Sequence, residues 1–475
     1  MVLVLYVLAK CVYMLFFHPL AKYPGPRLAA VSEIWNPWLL ASGRVCLIMQ
    51  DLHRKHGDIV RVGPNALSFA TPESYVAIYG HPKQGEKKFI KAAVYDKGER
   101  RIANVRDPAE HAQQRKLLSN AFSARALRDQ EVVIHRYLDL LVQQLCKLGS
   151  GGLQPVDMTA AYNWLTFDVI GDLAFGEPFG AVAEASSYWS SLILDAILWA
   201  GVVHLMKRNP LFRLILPFFW PKGMGEKLEK HKELARRKAK KRLELGTSLN
   251  RQDFFSHLIK DNILTEKSLV GNARSLLVAG SETTASGLAG ITYYLLKNPV
   301  CLAKLYQEIR STFNSYEAIT GDSTAALPYL HGVLEEGLRL FPPVAFGLPR
   351  DCPGTVIDGV YIPEGVVVST ENYALSHDPR YWVDPESFRP ERWFGEGLGD
   401  DKRAFQPFST GPRACLGVNL AYLEMRVAIA KILFTYDLEM VSQIEDWSKA
   451  CKSYGMWKKP ELLVKFHPRL TTQGL

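Results

Sequence analysis

The chain has no paired cysteine spacing. Its seven cysteines, at positions 11, 46, 146, 301, 352, 415 and 451, are scattered and odd in number, and none forms a C-x-x-C. That excludes a disulfide framework and a cysteine zinc site, and it points to a reducing compartment. Low-complexity tracts, internal repeats and linkers are also missing, so the 475 residues read as one large domain, taken as 27–475. Charge of one sign is in mild excess, at +9, yet no nucleic-acid-binding motif accompanies it. The basic run Lys227 to Arg242 is interleaved with Glu226, Glu229, Glu233 and Glu244. It reads as the solvated face of an amphipathic helix, and no nucleic-acid partner is expected. A basic surface also suits an acidic redox partner.

An apolar run of full membrane-spanning length is lacking too. Met1 to Phe17 is apolar except for Lys10 and falls slightly short of the ~20 residues a spanning helix needs. A short signal anchor, a monotopic insertion with Lys10 snorkelling, and a signal peptide all compete. The Pro-rich stretch His18 to Pro26 resembles a hinge more than a cleavage site. Lys22 and Arg27 follow the apolar run, which places the bulk of the chain in the cytosol. The expectation is a single-pass anchor over 1–17, a hinge over 18–26, and a location at the endoplasmic reticulum membrane.

Against these absences stands one cysteine in a dense local pattern, Phe408-Ser-Thr-Gly-Pro-Arg-Ala-Cys415-Leu-Gly417. A thiolate can be the axial ligand of haem iron and push electron density towards O–O cleavage. Gly411 and Gly417 allow positive φ and close approach to a flat macrocycle. Backbone N–H groups can donate to the sulfur. Arg413 offers a cation to a haem propionate, and Phe408 can cover the thiolate face. The apolar spacing from Asn419 to Phe434 predicts a helix whose N-terminus favours the anionic sulfur. The pattern F-x-x-G-x-R-x-C-x-G resembles the haem-binding loop of the cytochrome P450 family.

Other segments carry the same resemblance. Ser268 to Lys297 predicts one long helix with Ala279-Gly-Ser-Glu-Thr-Thr284 at its middle. Threonine hydroxyls that bond back one turn can open such a helix locally, leaving a groove for O₂ and water. Glu282 and Thr283 could relay protons there. The stretch matches the family's oxygen-activation motif, with Thr283 in the place of its key threonine and Ala279 towards the substrate. Glu336-Gly-Leu-Arg339 and Phe388-Arg-Pro-Glu-Arg-Trp393 match a second signature. The resemblance implies that Glu336, Arg339 and Arg392 form a buried structural ion-pair network. Where the family often has W-x-x-x-R, this chain has His111 and Arg115, and an imidazole N–H can replace an indole donor. Read from the residues alone, the two are equally an ordinary i,i+4 surface pair. Arg350 is a third candidate for the propionates.

The resemblance runs from Pro19 to His467 and implies a mainly α fold with small β-sheets, a helical prism around a buried haem (heme, iron protoporphyrin IX). The pocket would be lined by the loop from Tyr95 to Arg106, Ser190 to Leu205 with Trp199, Ala279, Val344 to Leu348 with Phe346, and Tyr454 to Trp457 with Met456. That lining implies a bulky hydrophobic substrate. Phe167 to Gly176 resembles membrane-bound fungal enzymes of terpenoid or polyketide pathways. The implied activity is insertion of one oxygen atom from O₂, with electrons from NADPH through NADPH-cytochrome P450 reductase. Two alternatives keep the haem: an isomerase or dehydratase working without a reductase, and a haem-binding protein without turnover. The intact Glu282-Thr283 pair and the anchor speak against the isomerase.

Overall fold

The computed structural model describes residues 1–96, 101–186, 223–245, 254, 266–442 and 444–469. Eight helices and eight strands carry the argument. They are α1 (Val2–Val12), α2 (Pro108–Ser119), α3 (Ala124–Gly149), α4 (Met158–Phe175), α5 (Met224–Leu245), α6 (Glu266–Lys297), α7 (Pro328–Leu340) and, counted with them as the last, α8 (Val418–Thr435). The strands are β1 (Ile59–Gly63), β2 (Ala66–Phe69), β3 (Ile90–Lys91), β4 (Val156–Asp157), β5 (Arg350–Asp351), β6 (Val367–Thr370), β7 (Tyr436–Met440) and β8 (Leu463–Pro468).

The longest apolar-periodic stretch becomes the longest helix. At ~1.5 Å per residue, α6 runs about 48 Å. It stops where Pro299 opens the next helix, since proline is tolerated in a first turn but not inside a helix. Alongside lies α4, which is buried on every side and so can only be a core element. Close crossings need small residues. A Cβ on Gly337 of α7 would lie 2.3 Å from Ile291 of α6, which is closer than atoms can approach. Leucines, isoleucines and aromatics of α3, α4, α6, α7 and α8 form one large core.

A smaller lobe forms around a sheet of order β1-β2-β6-β5-β3, with its own apolar cluster of Leu67, Phe69, Tyr75 and Trp382. The predicted hairpin about Pro64-Asn65 is β1 and β2. At the other edge, the register sets Lys91 opposite Arg350. A second sheet, β4-β8-β7, closes the helical body. The basic run lies in α5, where Ala239 and Arg242 are buried. Lys238 and Lys241 tie it to Glu177, at 2.9 and 2.5 Å.

At the N-terminus the apolar run forms α1 and then a five-residue π-helical turn, Tyr13–Phe17. Together they reach roughly 24 Å, short of the ~30 Å hydrocarbon core. Among the described residues no helix is long and apolar enough to cross a membrane, so the expected spanning helix is not found. The stretch that follows is docked on the body. Leu20 is buried, the N–H of Arg61 donates to Pro24 O at 2.7 Å, and the Arg61 guanidinium donates to Met14 O at 2.7 Å.

Candidate active site

Cys415 sits in a loop folded back on itself. Its N–H donates to Phe408 O at 2.8 Å, and Gly411–Arg413 makes a 3₁₀ turn inside that closure. Gly411 has φ +72°, and a Cβ there would lie 2.2 Å from Tyr79 O, so both the conformation and the space demand glycine. Gly417 departs from expectation. Its φ is −87°, and a Cβ would meet only ordinary contacts. Its contribution is the N–H that reaches Sγ, just before α8 begins. Burial pushes the Cys415 thiol up, while that N–H and the charge of Arg115 pull the other way. The cysteine is nevertheless uncovered at its surface. The Phe408 ring stacks on Tyr422, centroids 5.0 Å apart, and the Tyr422 hydroxyl donates to Glu335 at 2.5 Å.

Around the loop gathers a group of cations. Asp107 caps α2, and one turn apart on that helix stand His111, which is buried, and Arg115. Arg115 donates to Ala414 O at 2.6 Å. Arg413 donates to Val105 O at 2.9 Å and Arg106 O at 2.7 Å. Arg350 donates to Pro349 O at 3.1 Å, and its guanidinium lies 5.1 Å from the Tyr79 ring. Lys91 joins them from β3 and donates to Ile102 O and Ala103 O at 3.1 and 2.8 Å.

Among the described residues these cations have no carboxylate partner: Lys91, Arg115, Arg350 and Arg413 donate to backbone carbonyls, while nearby Asp351 is taken by Arg106 at 2.7 Å. The result is mutual repulsion in a poorly solvated place. Burial, then Arg413 and Arg350, lowers Lys91 to about 7. Burial, then Arg350, lowers Arg413 to about 10. Burial, then Arg413, Lys91, Arg115 and Arg350, lowers His111 to about 3. A group bearing two carboxylates would relieve all of this, and haem is such a group. The residues present therefore fit it: an exposed cysteine, and anion-seeking cations beside it. Lys91 carries no motif. Its only signal is the strand register that faces it to Arg350.

On α6, Ala279 is uncovered and Thr283 half-buried, although most of that helix is buried. Thr283 Oγ1 donates to Ala279 O at 2.6 Å. The helix nonetheless runs unbroken from Glu266 to Lys297, so the expected opening is not a break in it. Glu282, the next residue back, points into the interior and is 0% exposed. Its nearest charge is Lys459 Nζ at 3.7 Å. Burial raises its carboxyl, against the pull of Lys459. No hydrogen bond joins Glu282 to Thr283.

Glu336 accepts from Arg339 Nε and Nη2 at 2.9 and 2.8 Å and from Arg392 Nε at 2.9 Å, all three side chains fully buried. Two partners went unforeseen. Trp393 Nε1 donates to Glu336 at 2.9 Å, and Asp400 accepts from Arg392 Nη1 at 2.7 Å, which balances the second arginine. Val344, Phe346 and Met456 are half-buried. Trp457 is buried, donating to Pro342 O at 2.8 Å and stacked on Phe341. The expected lining of Ser190 to Leu205, with Trp199, lies outside the described residues, as does part of the loop from Tyr95 to Arg106.

Comparison with known proteins agrees with this geometry. The family model for Cytochrome P450 matches residues 24–466. Cytochrome P450 monooxygenase BOA3 of Botryotinia fuckeliana is 41% identical, over 98% of this chain and 94% of the relative. Cytochrome P450 monooxygenase astJ of Aspergillus oryzae is 40% identical, over 98% and 95%. Trichothecene C-15 hydroxylase of Fusarium sporotrichioides is 36% identical, over 98% and 96%.

Proposed function

The chain belongs to the cytochrome P450 family and is a haem-thiolate monooxygenase of the fungal secondary-metabolism type, and we propose that it oxidises a bulky terpenoid or polyketide intermediate. The observation that supports the site assignment is the exposed Cys415 beside cations that, among the described residues, have no carboxylate partner. When bound, haem supplies the iron at which O₂ is held and reduced. Cys415 would hold it through Sγ, with the Gly417 N–H moderating the sulfur's basicity. Arg115, Arg350, Arg413 and His111 would hold the propionates, and Lys91 joins them.

The remaining steps belong to the protein's own groups. Ala279, Val344, Phe346, Met456 and Trp457 would hold the substrate by apolar contact and keep water away. Thr283 Oγ1 stands on the uncovered face of α6, where it would donate a hydrogen bond and pass on a proton supplied through Glu282. The ion-pair network on Glu336 would hold the Cys415 side of the molecule rigid. Electrons would come from NADPH through a flavoprotein reductase. The apolar segment 1–17 would attach residues 27–475 to the cytosolic face of the endoplasmic reticulum membrane. The hydrophobic surface left exposed by Leu5, Tyr6, Leu8, Phe16 and Phe17 supports that attachment.

Metabolites of the source organism with and without this gene, compared by accurate mass, test the reading. Accumulation of a compound lacking one oxygen is expected and identifies the substrate. Accumulation of an isomer of the missing product would contradict oxygen insertion.

A further inference from the structure

Between α7 and α8 lies an acid that none of the chemistry described so far uses. Glu335 precedes Glu336 on α7. Glu336 faces Arg339 and Arg392, while Glu335 faces α8. Its side chain is 8% exposed. The Tyr422 hydroxyl donates to Glu335 Oε1 at 2.5 Å, and the Tyr422 ring packs on Phe408 with centroids 5.0 Å apart. Phe408 O in turn accepts the N–H of Cys415 at 2.8 Å. On the solvent side stands His331, one turn back on α7 and exposed, with Nδ1 3.7 Å from the same Glu335 oxygen. One line of contacts thus runs from solvent through His331, Glu335, Tyr422 and Phe408 to the cysteine loop.

The groups along this line decide the charge of Glu335. Burial raises its carboxyl to about 7, against the pull of the Tyr422 hydroxyl. His331 supplies no counter-charge at neutral pH, because burial, then Arg426 and Lys402, lowers it below its ordinary value. Arg426, one turn beyond Tyr422 on α8, also bears on Tyr422 and is itself opposed by Asp322 and Glu131. Glu336 is already balanced by its own arginines. Glu335 therefore stands between its two charge states near neutral pH, and a negative charge added nearby favours the neutral one.

This step rests on the haem-thiolate reading of Cys415. We propose that Glu335 takes up a proton when an electron enters the site, with Tyr422 as the positioning residue that ties it to the cysteine loop. The electron comes from the redox partner. The proton comes from water by way of His331 and forms the O–H bond of the Glu335 carboxyl. No other bond is made or broken, and the added charge is offset on the Cys415 side of the molecule.

Reductive titration of the haem-loaded full chain with dithionite, at a series of pH values and without substrate, tests this. In the natural chain, reduction should become harder as pH rises through neutrality. The reduction equilibrium should change by about threefold or more between roughly pH 6 and pH 8. Glu335→Gln should flatten that dependence. Tyr422→Phe keeps the ring on Phe408 but removes the donor that favours the carboxylate, so the step should move to higher pH. His331→Gln should leave the step in place. A flat profile in the natural chain overturns the proposal, as does a step that survives Glu335→Gln or vanishes in His331→Gln. If Glu335→Gln does not hold haem, an indicator dye reads proton uptake on reduction in the natural chain and in Tyr422→Phe. Uptake is expected in both, at higher pH in the variant, and uptake at the same pH in both overturns the pairing. The thiolate-type spectrum of the reduced, CO-bound protein reports on the family reading separately and should be the same in every variant.

Discussion

At Thr283 the hydroxyl donates to Ala279 O at 2.6 Å on a face of α6 that protein leaves uncovered. A donor there is available to whatever binds against that face. Thr283→Ala should keep the fold, because the side chain carries no core packing, and should cut product formed per NADPH by on the order of tenfold or more, within what general acid catalysis contributes. The missing product should appear as hydrogen peroxide. Unchanged coupling would remove Thr283 from the proton path. Single residues with a motif around them were legible in the sequence: Cys415, Arg413, Thr283, Glu336. Those whose role comes from a distant partner were not. Lys91 matters because β3 lies beside β5, a pairing that leaves no local pattern.

Among the elements, α7 and the turn at Pro390–Trp393 are joined by the network on Glu336. Two arginines, one glutamate and Asp400 balance in charge and share their donors with backbone carbonyls. A balanced network of this kind adds little net stability, but breaking it costs about 3–5 kcal/mol because a charge is left buried and alone. Arg392→Met should therefore lower Tm by roughly 3–5 °C, since unfolding a chain of this length carries an entropy of about 1 kcal/mol per degree. A shift within a degree or two would mean that the interior relaxes around the loss. Sequence foresaw the element ends closely. Apolar spacing placed α6 from Ser268 where it begins at Glu266, and α8 from Asn419 where it begins at Val418. It misjudged the behaviour of backbone within them. The threonine hydroxyl bonds back without opening α6, and Gly417 keeps negative φ because the turn before α8 asks for an N–H rather than a left-handed residue.

The whole molecule presents two contrasting surfaces. Its interior hides a cationic cluster, and its N-terminus shows an apolar one. The apolar segment is short for a membrane span, and the stretch after it is hydrogen-bonded to β1, so attachment would hold the body close to a bilayer. The full chain should float with lipid vesicles, and a variant lacking residues 1–17 should lose most of that association. Equal flotation of both would place the contact elsewhere. Architecture at this scale was readable from the sequence because long periodic helices need no partner information. Membrane attachment was not settled by hydropathy, since a run of this length serves equally well as an anchor or as a surface helix.

All of this depends on Cys415 being the sulfur that holds haem. The direct measurement is the absorption spectrum of the reduced, CO-bound protein for the natural chain and for Cys415→Ala, with Cys46→Ala as a buried control. The account predicts a thiolate-type band in the natural chain and in Cys46→Ala, and none in Cys415→Ala. A thiolate-type band that persists in Cys415→Ala would contradict it.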